Sequence, residues 1–351
     1  MTTSRNASTI RDVARLAGVS VATISRYLNN SAPLSADTAE RVLAAMTELD
    51  FSPHPAARSL ASNKTYAIGL ILNDIGGEFY TPMLRGIESI TSAEGFDLLI
   101  HSTKTNQPVK ANHYSPLKRR PLSENNTDGL LIFNDAVDEA ELTRLKKLNF
   151  PVVLIHQSPP KELEIPMVTI ENQSGGQQVV DHFIEEHGCK RIVFMQGPPN
   201  NEDSKAREKG YKLSLKKHGL PFDPELVVEG GFESAQAHAA IMGMIYKGIS
   251  FDAIFTGDDD NAIGVLQALN ESGKRVPEDV LIAGFDDSLF ARILTPPLTT
   301  VRAPNELVGA EATRQLVNLI RGESATLRTV LPVEMIIRRS CGCNPKTQGG
   351  A

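Results

Sequence analysis

Hydrophobic patterning divides the chain into two regimes. Up to about residue 50, apolar side chains recur at helical spacing. From Tyr66 onward, short continuous apolar runs alternate with amphipathic stretches. In the first regime Val13, Ala14 and Ala17 share one face of a helix. Thr9 caps it, Asp12 three residues later completes a capping box, and Gly18 ends it. Ser20 caps a second helix with Ile24, Tyr27 and Leu28 on its inner face. A third begins near Ser35 and buries Val42, Met46 and Leu49. Two helices joined through a turn containing Gly18 make a helix-turn-helix, with the second helix available to a major groove. Its outward positions are Val21, Ala22, Ser25 and Arg26. Arg26 can grip a guanine edge, and its small neighbours let the helix sit deep.

In the second regime the strands predicted are "AIGLIL" (67–72), "DLLIH" (97–101), "GLLIF" (129–133), "VVLIH" (152–156), "RIVFMQ" (191–196), "DAIFTG" (252–257) and "VLIAGF" (280–285). Helices are predicted over 82–94, 138–148, 173–187, 205–218 and 258–272. Continuous apolar strands alternating with helices imply parallel sheets covered on both faces, here two doubly wound lobes. A ligand then belongs in the crevice at the carboxyl ends of the strands. Between the regimes stands "PHPAARSLASNKT". Pro53 and Pro55 stop the preceding helix, and Pro55 suits the first turn of a new one. A helix from Pro55 to Ser62 has two turns, marginal in water, and is expected to fold fully only when docked.

Charge sharpens this division. The 351 residues carry a net charge of −6, yet residues 1–64 hold seven basic against five acidic side chains, leaving −8 on the rest. A mildly basic head on an acidic body points to nucleic acid contact by the head. The length predicts two or three domains. No apolar run approaches the roughly 18 residues of a membrane span, and "MTTSRNAS" lacks the apolar core of a secretory signal. The three cysteines, Cys189, Cys341 and Cys343, form no disulfide framework, so a reducing, cytoplasmic compartment is expected.

Enzymatic chemistry finds no support. No G-x-S-x-G, Walker loop, H-E-x-x-H or C-x-x-C occurs. Gly175 and Gly176 in "NQSGGQQ" read as close helix–strand packing. His182 and His187, five apart, do not face one another on a helix, and the two thiols of Cys341-Gly342-Cys343 make an incomplete metal site. No cofactor and no metal are expected. The run Lys118, Arg119, Arg120 reads as a solvated surface.

The ordered string "TIRDVARLAGVSVATISRYLNN" (9–30), "TAERVLAAMTELDFSP" (38–53), "ARSLAS" (57–62) and "IGLI" (68–71) resembles the lactose-repressor/galactose-repressor (LacI/GalR) family of bacterial transcription regulators. The resemblance extends along nearly the whole chain. It implies an all-α helix-turn-helix head over 1–53, a hinge over 54–64 and a periplasmic-binding-protein-like α/β body over 65–340, with a tail at 341–351. The N-lobe would take 65–172 and 301–325, the C-lobe 173–300 and 326–340, with three crossovers between them. One departure lies in "NQPVKANHYSPLKRRPLSENNTDG", where three prolines replace the uninterrupted helix usual in relatives.

Carried over by resemblance, the DNA-contacting positions are Thr9, Ser20, Val21, Ala22, Thr23, Ser25, Arg26, Asn29, His54, Arg58 and Leu60. In the family the hinge helix forms on DNA, pairs with its dimer mate and drives a leucine, here Leu60, between minor-groove base steps. His54 stands where many relatives have Asn. The effector-binding positions are Phe79 and Tyr80 in "GEFYTP", Arg207 in "SKAREKGY", Asp258 in "TGDDDNAIG" and Asp286 in "AGFDDS", with Phe232 in "GGFES" adding a stacking face. Rings beside carboxylates and a guanidinium suit a sugar, whose CH faces stack while its hydroxyls need donors and acceptors. The expectation is a homodimeric, effector-controlled repressor on a near-palindromic operator. Its rivals are a nucleobase-responsive regulator and a transport-type sugar-binding protein. The latter shares the body but would carry a signal peptide and no residues 9–64.

Overall fold

The computed structural model describes residues 8–29, 32–51, 64–103 and 122–344. Described residues up to Ala67, together with Asn125–Asp128, form one compact unit, and the remainder forms a second.

The first unit holds α1 (Ile10–Ala17), α2 (Val21–Asn29) and α3 (Ala36–Glu48). The Thr9 amide donates to Asp12 Oδ2 at 3.1 Å and its hydroxyl donates to the same oxygen at 2.6 Å. These bonds and the neighbouring Arg15 hold the Asp12 carboxyl below its ordinary range. Gly18 ends α1 at φ 65°, where a β-carbon would be strained. Val13, Ala14, Ala17, Ile24, Val42 and Ala45 make a small closed core, flanked by Tyr27, Leu28, Met46 and Leu49.

In the second unit, apolar runs buried on both faces become parallel sheets. The larger sheet contains β1 (Ala67–Leu72), β2 (Asp97–Ser102), β3 (Gly129–Phe133), β4 (Val152–Ile155), β5 (Met167–Ile170) and a late strand, β11 (Arg328–Leu331). Their spatial order is β11-β5-β4-β3-β1-β2. The smaller sheet runs β7-β6-β8-β9, from β6 (Ile192–Gln196), β7 (Val227–Glu229), β8 (Ala253–Phe255) and β9 (Leu281–Ala283). A two-stranded antiparallel sheet pairs β10 (Thr300–Arg302) with β12 (Glu334–Ile336). The chain leaves the larger sheet for the smaller one after β5, returns to the larger sheet after β10 and leaves it again for β12 after β11. No described helix is long and apolar enough to cross a membrane.

Helices cover the sheets in close-packed pairs: α4 (Tyr80–Glu94) with α11 (Asn305–Ile320), α6 (Asn172–Glu185) with α7 (Glu202–Lys217), and α8 (Ser234–Tyr246) with α9 (Asp259–Glu271). Two shorter helices, α5 (Glu139–Lys147) and α10 (Leu289–Ile293), complete the set. Each close pair meets backbone to backbone through glycine. A β-carbon on Gly86 would strike the Glu306 carbonyl, one on Gly210 that of Gln173 and one on Gly264 that of Ser234. Gly176 belongs to this class, since a β-carbon there would lie 2.6 Å from the Arg207 carbonyl oxygen. It serves helix–helix rather than helix–strand packing. Gly175 instead makes room for the Phe285 ring.

The lobe boundaries need one correction. Residues 326–340 do not all join the C-lobe, because Arg328–Leu331 pairs in parallel with Met167–Ile170 at the edge of the larger sheet. Sheet membership of a four-residue, half-exposed strand depends on a partner far away in sequence, which local patterning does not carry. Most of the proline-rich segment, including Lys118, Arg119 and Arg120, lies outside the described residues.

Candidate functional site

In the head, Ser20 Oγ accepts the Thr23 amide at 3.1 Å and so opens α2. Ile24 faces inward, fully buried, which turns Val21, Ala22 and Arg26 outward. Val21 is 42% exposed, high for a β-branched apolar side chain in a folded unit and apt for a surface that meets a partner. Thr9 and Ser20 are exposed, while Thr23 and Ser25 are half-buried. Asn29 closes α2. His54, Arg58 and Leu60 lie outside the described residues.

In the body, each large sheet reverses its winding between two neighbouring strands, β1 and β3 in one, β6 and β8 in the other. Loops leaving the carboxyl ends of such strands splay apart and open a crevice. Here those loops line a cavity of about 630 Å³. The loop after β1 gives Asn73, Asp74 and Phe79, that after β3 gives Asn134, that after β6 gives Asn201, and that after β8 gives Asp258. Phe79, Tyr80, Arg207, Phe232, Asp258 and Asp286, chosen from five separate stretches of sequence, all line this one cavity.

One wall is aromatic. Phe79, Tyr80 and Phe133 form an edge-to-face cluster with centroids 5.2–5.8 Å apart. Burial, with Asp74 nearby, pushes the Tyr80 hydroxyl up to about 12, so it stays a neutral donor. The opposite wall is ionic. Arg207 is 2% exposed and donates from Nε to Asn172 Oδ1 at 2.9 Å and from Nη1 to the Gly257 carbonyl at 2.6 Å. Its guanidinium carbon lies 3.7 Å above the centroid of the Phe285 ring and 5.7 Å from that of Phe232. Nη2 is 3.7 Å from Asp286 Oδ1, an ion-pair distance too long for a hydrogen bond, and that oxygen has no hydrogen-bond partner among the described residues.

Three residues in or behind this wall were not found from sequence. Asn172 donates to Asp203 Oδ1 at 2.6 Å while accepting from Arg207. Asp203 Oδ2 also lies 2.8 Å from His156 Nδ1. Burial pushes the Asp203 carboxyl up, but His156, Arg207 and Asn172 together hold it below its ordinary value. Asp203 follows Glu202 at the start of α7, a place where acids also serve the helix dipole. His156 ends a predicted strand. Nothing in sequence marks either as reaching the other.

The acids near α9 behave in the opposite sense. Asp258 caps that helix, its Oδ1 accepting the Asn261 amide at 2.9 Å, and also faces the cavity. Burial and then the neighbouring Asp286 raise its carboxyl well above the ordinary range. Burial and Asp286 take Asp259 to about 8. Burial takes Asp286 to about 6, against the pull of Arg207. The backbone is also taut here, with Asn134 at φ 47°, Phe232 at 59° and Asp286 at 109°. Side chains held in that region cost of order 1 kcal/mol or more each and gather where geometry serves binding. A flat molecule with CH faces and several hydroxyls would fit the rings on one side and meet acceptors and a guanidinium on the other.

His182, His187, Cys341 and Cys343 require a second correction. The two thiols are not alone, since one ligand atom from each of the four residues falls within 4.8 Å of all the others. Helical spacing does not govern the histidines, because α6 ends at Glu185 and His187 lies beyond it.

Residues 9–54 match the family model described as bacterial regulatory proteins, lacI family, and residues 180–341 match that of the periplasmic binding protein-like domain. Catabolite control protein A of Priestia megaterium is 32% identical over 334 residues, covering 95% of this chain and 98% of that protein. The ribose operon repressor of Halalkalibacterium halodurans is 30% identical over 344 residues, covering 98% of each. The crystal structure of the lac repressor dimer bound to operator and the anti-inducer ONPF is similar with a TM-score of 0.81 at 25% identity, covering 95% of this chain and 99% of that one.

Proposed function

The chain belongs to the LacI family of bacterial regulatory proteins, and on that premise we propose that it represses transcription as a homodimer whose hold on a near-palindromic operator is controlled by a sugar bound between the two lobes. Family members are DNA-binding transcriptional regulators rather than enzymes, so what this chain's own residues must supply is operator reading, effector binding and a link between them. Residues 1–53 would read one half-site each in the dimer, residues 54–64 would form the hinge with Leu60 as the minor-groove wedge, and residues 65–340 would bind effector and dimerise. Such a regulator works where the chromosome is, in the bacterial cytoplasm.

The observation that carries the effector reading is the single cavity that gathers three aromatic rings opposite Arg207, Asp258 and Asp286. Sugar hydroxyls would donate to the carboxylates and accept from the guanidinium, satisfying the unpaired Asp286 oxygen. Dimerisation is supported by apolar surface left open at the sheet edge: on β2, Leu99 is 37% and Ile100 47% exposed. The test is calorimetric titration of the full chain with a panel of mono- and disaccharides and of nucleobases, in the presence and absence of operator DNA. A saccharide that binds one per subunit and changes operator affinity supports the reading. Binding confined to nucleobases, or saccharide binding without effect on DNA, overturns it.

A further inference from the structure

At the far end of α6 from the cavity, the C-terminal arm folds back and presents Cys341 and Cys343 to His182 and His187. His187 Nε2 lies 3.4 Å and His182 Nε2 3.8 Å from Cys343 Sγ. In a tetrahedral zinc centre with bonds of about 2.3 Å to sulfur and about 2.05 Å to nitrogen, sulfur–nitrogen edges are about 3.6 Å long. The two measured separations straddle that edge. No pair of the four ligand atoms exceeds 4.8 Å, so side-chain rotations moving atoms by about 1 Å bring all six edges to length. We infer that these four side chains form a closed Cys2His2 site for a thiophilic divalent cation of the zinc class, joining the C-terminal arm to the end of α6.

Features around the ligands support a built site. Gly342 separates the cysteines at φ 85°, a turn that aims both sulfurs the same way and that a side chain would strain. Cys341 is fully buried, and its sulfur accepts the Thr299 hydroxyl at 3.1 Å. That hydroxyl accepts the Arg338 amide at 2.8 Å, so its proton is directed at the sulfur. The Thr299 amide donates to Ser340 Oγ at 2.8 Å, and Ser340 Oγ donates to the Ile282 carbonyl at 2.7 Å. Outer hydrogen bonds of this kind fix a ligand's orientation and raise metal affinity. Two thiolates would balance a divalent charge, and four protein ligands leave no position for a substrate, the arrangement of a structural centre.

The full chain, reduced and stripped with a chelator, should be titrated with Co2+ as probe and then with Zn2+ as competitor. One equivalent of Co2+ should give the intense visible bands of a four-coordinate ion and a thiolate charge-transfer band, both abolished by Zn2+. Zn2+ should raise the melting temperature of the wild type and leave that of Cys343→Ser unchanged. Cys343→Ser and His187→Gln should each weaken Zn2+ binding by more than about 100-fold with an unaltered circular dichroism spectrum. The nearby cluster of Asp181, Glu185 and His218 could also attract a cation. Weak six-coordinate bands without charge transfer would place the ion there and overturn the proposal. Full Zn2+ affinity in Cys343→Ser would do the same, as would a Cys341–Cys343 disulfide whose reduction yields no cobalt site.

Discussion

Asp259 offers a sharp test of how the acids near the cavity are held. It is 1% exposed, one oxygen accepting the Thr300 hydroxyl at 2.7 Å and the other the Ser288 amide at 2.7 Å. Burial and the nearby Asp286 lift it from 3.8 to about 8. Its folded value therefore lies above its unfolded one. The stability it contributes is complete below about pH 4 and is lost as pH rises toward 8. Integrating the proton difference for this one group gives a loss of about 1.4 kcal/mol between pH 7 and 9, and about 2.7 kcal/mol between pH 6 and 9. Asp259→Asn removes the titration while keeping both bonds, the amide oxygen accepting from Ser288 and the amide nitrogen donating to Thr300. Carboxylates held low, such as Asp181, Asp203 and Asp287, change protonation below this window and affect both proteins alike. Urea unfolding of both proteins, followed by circular dichroism from pH 6 to 9 at constant ionic strength, measures the difference. The variant's stability should fall less steeply, by about 1.4 kcal/mol from pH 7 to 9. Parallel curves would show that Asp259 is ionised throughout and that its burial is compensated in some other way.

Four further outcomes are expected. Arg26→Ala should weaken operator binding by about 1–3 kcal/mol and leave random DNA nearly unaffected, as measured by anisotropy at one salt concentration. Equal losses would remove it from base reading. Asp286→Asn should cost about 1–3 kcal/mol of sugar affinity by calorimetry without lowering thermal stability, since the carboxyl it replaces already resists ionisation. Gly86→Ala should destabilise the body by about 1–3 kcal/mol or more, because its β-carbon meets the Glu306 backbone. Gly243→Ala in α8, with no described atom within 4 Å of the added carbon, should stabilise it by about 0.5–1 kcal/mol. Reversed signs in denaturant midpoints would contradict the packing described.

Much of the architecture was legible because burial on both faces leaves a strong local trace. "AIGLIL" and "GLLIF" become strands with the predicted limits, each buried throughout. β7, β10, β11 and β12 are short and sit in no long apolar run, so there that trace fades and pairing is decided at a distance. The cavity walls were reached through family resemblance, residue by residue. Asn172, His156 and Asp203 were not, since their importance lies in whom they touch. Asn172 binds a residue 31 positions away and another 35 away. The Cys2His2 cluster escaped for the same reason, its two halves being more than 150 residues apart.

The glycine contacts bear on how a signal could travel. Where two helices touch through their main chains, neither can slide on the other without breaking contact along its length, so shear within α4–α11, α6–α7 or α8–α9 is blocked. Each lobe is then built to move as a block, which would leave the passages after β5, β10 and β11 to absorb any relative motion. Arg207 sits on such a block, its own carbonyl being the oxygen that Gly176 admits. A ligand that draws this guanidinium across the crevice therefore pulls the whole α6–α7 layer with it. On this geometry a pull on that one side chain would be carried by the lobe as a whole rather than absorbed within it.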